Sequence, residues 1–157
     1  MTGKQIVVGI SDLNTAYSPD ELISYALGSC IGICLYDKFQ KIAGLSHILL
    51  PDSSTYKAVD NMKFADTAIK ELISRMLRMG CRKNSLTAKI AGGANMFSWS
   101  GETVGDKNIK SVEEQLRIHG IPLLAKDVGG DYGRTVSICA ETGVVTVKAL
   151  TRGVKTL

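Results

Sequence analysis

Histidine occurs twice in this chain, tryptophan once and proline three times in 157 residues. No apolar run approaches the roughly 20 residues that a membrane-spanning helix needs, so membrane insertion is not expected. The opening stretch MTGKQIVVGISDLN carries one lysine and an apolar run too short for a secretion signal, which points to a cytoplasmic protein. The four cysteines, at 30, 34, 81 and 139, include no Cys-x-x-Cys pair. That absence removes zinc ribbons and thioredoxin-type redox sites, and in a reducing compartment the four are expected as free thiols. Aromatic residues make up 6% of the chain and the net charge is +4, so a basic surface interleaved with aromatics is missing and nucleic acid is not an expected partner. There is no internal repeat, low-complexity tract or long run of like charges, and the length suits one domain over 1–157.

What is present is a pattern of strands interrupted by two helices. Residues 5–10, 23–27, 30–36 and 41–50 are apolar and rich in β-formers, while SDLNTAYSPDEL reads as polar and turn-rich. From Asn61 to Met79 the period changes: Ala65, Ala68, Ile69, Leu72, Ile73, Met76 and Leu77 recur at helical spacing, and Gly80 follows as a C-terminal cap. A weaker helix is predicted over 107–119, with Ile109, Val112 and Leu116 inward and His119 in its last turn. Strands resume in LTAKIAGG, between the helices, and in IPLLAKDV, RTVSICAE and VVTVKAL after them, the last two as a hairpin. Strict strand-helix alternation is lacking, so the expected class is α+β, two main helices packed on mixed sheets.

The hairpin over 27–50 draws attention to one thiol. With DKFQ as its polar turn, Tyr36 meets Lys41, Cys34 meets Ala43 and Cys30 meets His47, which places a thiol beside an imidazole. Gly28 and Ser29 break the chain just before Cys30, and backbone N–H groups left unpaired there are either oxyanion donors or part of a plain turn. The other cysteines read as small core residues, and His119 as a helix-end residue. For a group orienting His47, Ser24, Ser46 and Asp52 are all near in sequence. Gly92-Gly93-Ala94-Asn95 lacks the Walker lysine and the dinucleotide glycine spacing and reads as a tight turn. Arg75, Arg78 and Arg82 read as a solvated basic face.

Taken together, Ala26-Leu27-Gly28-Ser29-Cys30, Ser46-His47-Ile48-Leu49-Leu50-Pro51 and Ile90-Ala91-Gly92-Gly93-Ala94-Asn95-Met96-Phe97 resemble the CheD-type chemoreceptor glutamine deamidase family, and the likeness runs through nearly the whole chain. The resemblance implies a mixed β-sheet sandwich related to deamidating bacterial toxins. It also implies hydrolysis of glutamine side-chain amides on chemoreceptor cytoplasmic domains, with no cofactor or metal, and a CheC-type phosphatase as partner. The family's nucleophilic cysteine matches Cys30 and its histidine matches His47. Its third position, usually threonine, is Ser24 here, which keeps the hydroxyl and loses the β-branch. Backbone N–H groups of Ser29 and Cys30 then serve the oxyanion, and an imidazolium beside Cys30 is expected to make it the thiol most sensitive to alkylation. The competing readings are a non-enzymatic module that binds a CheC-type phosphatase and a general cysteine peptidase.

Overall fold

Residues 31–37 and 42–48 are almost all apolar or small because both faces of these strands are covered: every residue of the second run is buried, and all but Tyr36 of the first. The computed structural model describes residues 3–55, 61–97 and 100–157. Its strands are β1 (Gln5–Val7), β2 (Asp12–Tyr17), β3 (Glu21–Leu27), β4 (Ile31–Asp37), β5 (Ile42–Ile48), β6 (Leu86–Gly92), β7 (Leu123–Val128), β8 (Arg134–Cys139), β9 (Val145–Ala149) and β10 (Gly153–Thr156). Helix α1 (Ala65–Arg78) precedes β6, and α2 (Val104–Ile118) follows it.

Two mixed five-stranded sheets result, in the orders β1-β3-β8-β9-β10 and β2-β5-β4-β6-β7. The α+β sandwich with two main helices is thus observed, and alternation along β4 and β5 divides its core. Ile31, Ile33, Leu35, Ile42 and Ile48 pack with the inward stripe of α1 and with Val112 and Leu116 of α2. Cys30, Cys34, Ala43 and Leu45 face the other way, onto Leu22, Leu27, Val136 and Ile138 of the first sheet. The site-bearing strands therefore lie in the middle layer of three.

Two strand expectations are corrected, one further strand appears and both helix starts move. Residues 12–17 form β2, an edge strand paired only with β5; its inward apolar residues are just Leu13 and Ala16, so the periodic signal is faint. Strand β10 has no signal at all, since all four residues are exposed and it is held by pairing to β9. The first strand stops at Val7, short of Ile10. Helix boundaries also move: α1 starts at Ala65 after a single 3-10 turn, with Leu77 39% exposed and off the buried stripe. Helix α2 begins at Val104 because Thr103 and Asp106 form a reciprocal capping box, and its buried stripe includes Asn108. Residues 98–99 of the loop before α2 lie outside the described residues.

Candidate active site

The β4–β5 hairpin differs in register from the sequence expectation. Tyr36 pairs with Ala43, Cys34 with Leu45 and Gly32 with His47, so Cys30 does not stand directly opposite His47. Asp37 is the cause. It remains the last residue of β4 while its carboxylate accepts from the N–H groups of Phe39 at 2.9 Å and Gln40 at 3.1 Å, and Lys41 turns the corner with φ +53. The loop therefore spans 38–41, displaced by one residue from the expected turn, and the register slips by two. A slip of two preserves faces, so Cys30 and His47 remain on one face as diagonal neighbours, a relation that places Cα atoms about 7–8 Å apart.

His47 is fully buried and bridges the sheets through Ser24. Ser24 Oγ lies 2.7 Å from His47 Nδ1 and 2.6 Å from the carbonyl oxygen of Val8. A serine hydroxyl has one proton, and here it is donated to Val8. The hydrogen in the Ser24–His47 bond must then come from Nδ1, which leaves Nε2 as the unprotonated nitrogen with its lone pair free. Nε2 has no hydrogen-bond partner among the described residues, Cys30 included. Burial lowers the His47 pKa to about 4, so the ring is neutral at neutral pH. Neither Ser46 nor Asp52 competes for the orienting role: Ser46 Oγ is buried without a partner, and Asp52 accepts from the N–H of Ser54.

Cys30 is 8% exposed, at the entry to β4. Burial raises its pKa, and a hydrogen bond from its own backbone N–H pulls it partly back. The expected imidazolium, and the thiolate it would favour, are therefore absent at neutral pH; the resting pair is a thiol and a neutral imidazole. Of the other thiols, Cys34 and Cys81 are buried with pKa values pushed up to about 12, whereas Cys139 is only half-buried. Around Cys30 the chain is pinned by its carbonyls. Ala94 N–H donates to Gly28 O at 2.9 Å and Gly93 N–H to Cys30 O at 2.9 Å. The N–H groups of Ser29 and Cys30 donate to no backbone acceptor among the described residues. Gly92 makes the approach possible, since with φ +119 a Cβ there would lie 2.2 Å from Cys30 O. A depression of 470 Å³ opens beside Ser29, bordered by the exposed side chains of Met96, Phe97 and Val104.

Two residues that the sequence reading passes over also reach this region. Asn108, fully buried on α2, donates through Nδ2 to Ser29 O at 2.9 Å and to Leu49 O at 3.1 Å, while its Oδ1 has no partner. Its signal was available, as an amide at helical spacing with Val112 and Leu116. Arg134, 2% exposed, pairs with Asp127 at 3.1 Å and reaches Gly92 O at 3.4 Å. No group of three or more His, Cys, Asp or Glu among the described residues is arranged to hold a metal ion. His119 caps the end of α2, and Arg75 is engaged by Glu71 at 3.1 Å on a solvated helix face.

A sequence model of the family described as CheD, chemotactic sensory transduction, matches residues 49–149. That stretch includes Gly92 and Asn108 and begins just after His47. Whole-chain relatives extend further. A Clostridium botulinum (strain Hall) protein called probable chemoreceptor glutamine deamidase CheD is 50% identical over 157 residues, covering 97% of each chain. A protein of the same description from strain Eklund 17B is 49% identical and covers 98% of each chain. Among solved structures, the Bacillus licheniformis hypothetical protein YfiH aligns with a TM-score of 0.44 and 13% identity, over 68% of this chain and 46% of that one.

Proposed function

The chain belongs to the CheD family, and from that membership we propose that it is a chemoreceptor glutamine deamidase working through a Cys30 thioester. The observation that carries the mechanism is the Ser24–His47 bond, because the proton count around Ser24 leaves His47 Nε2 basic on the face that Cys30 shares. Ser24 orients the ring, His47 is general base and then general acid, and Cys30 is the nucleophile.

Starting from a neutral pair, proton transfer from Sγ to Nε2 accompanies attack of sulfur on the glutamine Cδ. The imidazolium formed is stabilised by Nδ1–H donation to Ser24, and the backbone N–H groups of Ser29 and Cys30 receive the oxyanion. The tetrahedral adduct collapses to a thioester as Nε2 returns the proton to the departing ammonia. His47 then activates a water, which attacks the thioester, releases glutamate and restores the thiol. The substrate glutamine belongs to a chemoreceptor cytoplasmic domain, and a CheC-type phosphatase is the regulatory partner in the cytoplasm. Membership in the family supports both assignments.

Peptide mass spectrometry of a chemoreceptor cytoplasmic fragment, incubated with the wild-type protein or with Cys30→Ala, tests this reading. Conversion of particular glutamines to glutamate by the wild type alone is the expected result. Conversion that persists in Cys30→Ala overturns the nucleophile. No conversion by either protein overturns the deamidase in favour of a binding module, and cleavage of the fragment's backbone would identify a peptidase.

A further inference from the structure

A helix stripe that otherwise carries Val112 and Leu116 gains little from an asparagine, whose amide is costly to bury unless it is bonded. Asn108 is fully buried, spends both Nδ2 hydrogens on the carbonyls of Ser29 and Leu49, and leaves Oδ1 unpaired. Those two carbonyls belong to the segments that carry the reactive groups: Ser29 precedes Cys30, and Leu49 lies two residues beyond His47.

The geometry of one peptide unit gives this contact its consequence. The Ser29 carbonyl and the Cys30 N–H share a single planar peptide, and the one cis bond among the described residues is Ser18-Pro19, so this peptide is trans. In a trans peptide the C=O and N–H point in opposite directions. Holding the Ser29 oxygen against α2 therefore turns the Cys30 N–H away from α2. The Cys30 N–H donates to no backbone acceptor among the described residues, so it is left to receive an oxyanion formed on the sulfur of the same residue. Ala94 does the same for the preceding unit, since its N–H fixes Gly28 O and thereby the direction of the Ser29 N–H.

Resting on the deamidase reading above, we propose that Asn108 is a positioning residue that aims the Cys30 N–H at the developing oxyanion and ties the start of β4 to the end of β5. It touches no substrate. It acts by fixing the orientation of one peptide plane.

The test separates aiming from simple support. Wild type, Asn108→Ala and the isosteric Asn108→Asp are compared for receptor-glutamine deamidation and for alkylation of Cys30 by iodoacetamide, read peptide by peptide. Thermal melting of each is recorded alongside. Alkylation needs the thiolate but forms no oxyanion, so an aiming role leaves it within about threefold of wild type while kcat falls by about 10- to 100-fold, with KM little changed. In Asn108→Asp the carboxylate cannot donate, and burial between two carbonyl oxygens raises its pKa. Its kcat relative to wild type should therefore recover in part as the pH is lowered and the carboxyl regains one donor. Unchanged kcat in both variants overturns the proposal, as does an alkylation rate that falls as far as kcat, which would mark a scaffold staple. If Asn108→Ala does not fold, Asn108→Asp decides alone. A wild-type protein that deamidates nothing fails the deamidase reading itself and removes this proposal with it, whereas an active wild type with equally active variants removes only the role of Asn108.

Discussion

At the scale of single residues, the chemistry rests on which proton sits where. Val8 O takes the Ser24 hydrogen, Ser24 takes the Nδ1 hydrogen, and Nε2 keeps its lone pair. The same burial gives stability a pH signature. With its pKa lowered to about 4 in the folded protein and an unfolded value near 6.5, His47 binds a proton more readily when the chain is unfolded. Stability therefore falls as the pH drops from about 6.5 to 4, with a contribution from this residue of about 3 kcal/mol. His119 is also lowered by burial and adds to the slope, so the comparison needs a variant. Urea unfolding between pH 7 and 4 should lose less stability in His47→Gln than in wild type, and equal slopes in the two proteins would exclude His47 as the source. The identities of Cys30, His47 and Ser24 as chemically interesting residues were legible in the sequence. Their protonation was not, because the neutral ring and the raised thiol pKa come from packing between sheets that no local pattern reveals.

Among elements, the hairpin and the glycine loop divide the work. Alternation placed Cys30 and His47 on one face, and that survived a two-residue slip because strand periodicity is two. The slip itself was hidden, since it depends on Asp37 bonding the turn while staying in the strand. The loop after β6 was legible only as a tight turn. Its role as a clamp on residues 28–30 requires knowing that β6 lies beside β4. Substitution of Gly92, the last residue of β6, measures that clamp. In Gly92→Ala, left-handed strain of about 1–3 kcal/mol adds to overlap with the Cys30 carbonyl that costs a further 1–3 kcal/mol or so. Gly120→Ala is the control, because φ is +69 and open space surrounds its Cβ, so it bears only strain of about 1–2 kcal/mol. Denaturant titration should show the larger loss at Gly92, and deamidation assayed well below each midpoint should fail in Gly92→Ala but persist in Gly120→Ala. Equal activity in the two would mean that the loop does not set the position of Cys30.

For the whole molecule, three layers converge on the proposed site: Ser24 comes from one sheet, Cys30 and His47 from the other, and Asn108 from a helix. The α+β class follows from strand and helix periods alone. The allocation of strands to sheets does not, because β2 crosses to pair with β5 while its sequence neighbours β1 and β3 pair with each other. What holds the two sheets in register is likewise non-local. Tyr36 donates to Ala140 O at 2.8 Å on one side of the sandwich, and Arg134 of β8 pairs with Asp127 of β7 at 3.1 Å on another, with Lys155 also 3.2 Å from Asp127. Arg134 is the most telling of these, since it is buried, stacks 4.2 Å from the Tyr132 ring centroid and reaches Gly92 O beside the site. Arg134→Met leaves the Asp127 carboxylate with only the half-exposed Lys155 as counter-charge, so it should cost less than the roughly 3–5 kcal/mol of a fully stranded buried charge. Adding Asp127→Leu removes the under-compensated carboxylate, and the double variant should lose less than the sum of the two single losses, although the Arg134 contacts to Gly92 O and Tyr132 stay lost. Urea midpoints of the four proteins in this cycle decide the matter. Losses that simply add would show that Arg134 and Asp127 are not coupled across the sheets, whereas a double variant less damaged than the sum identifies their pair as a coupled link between the layers that carry Ser24 and His47.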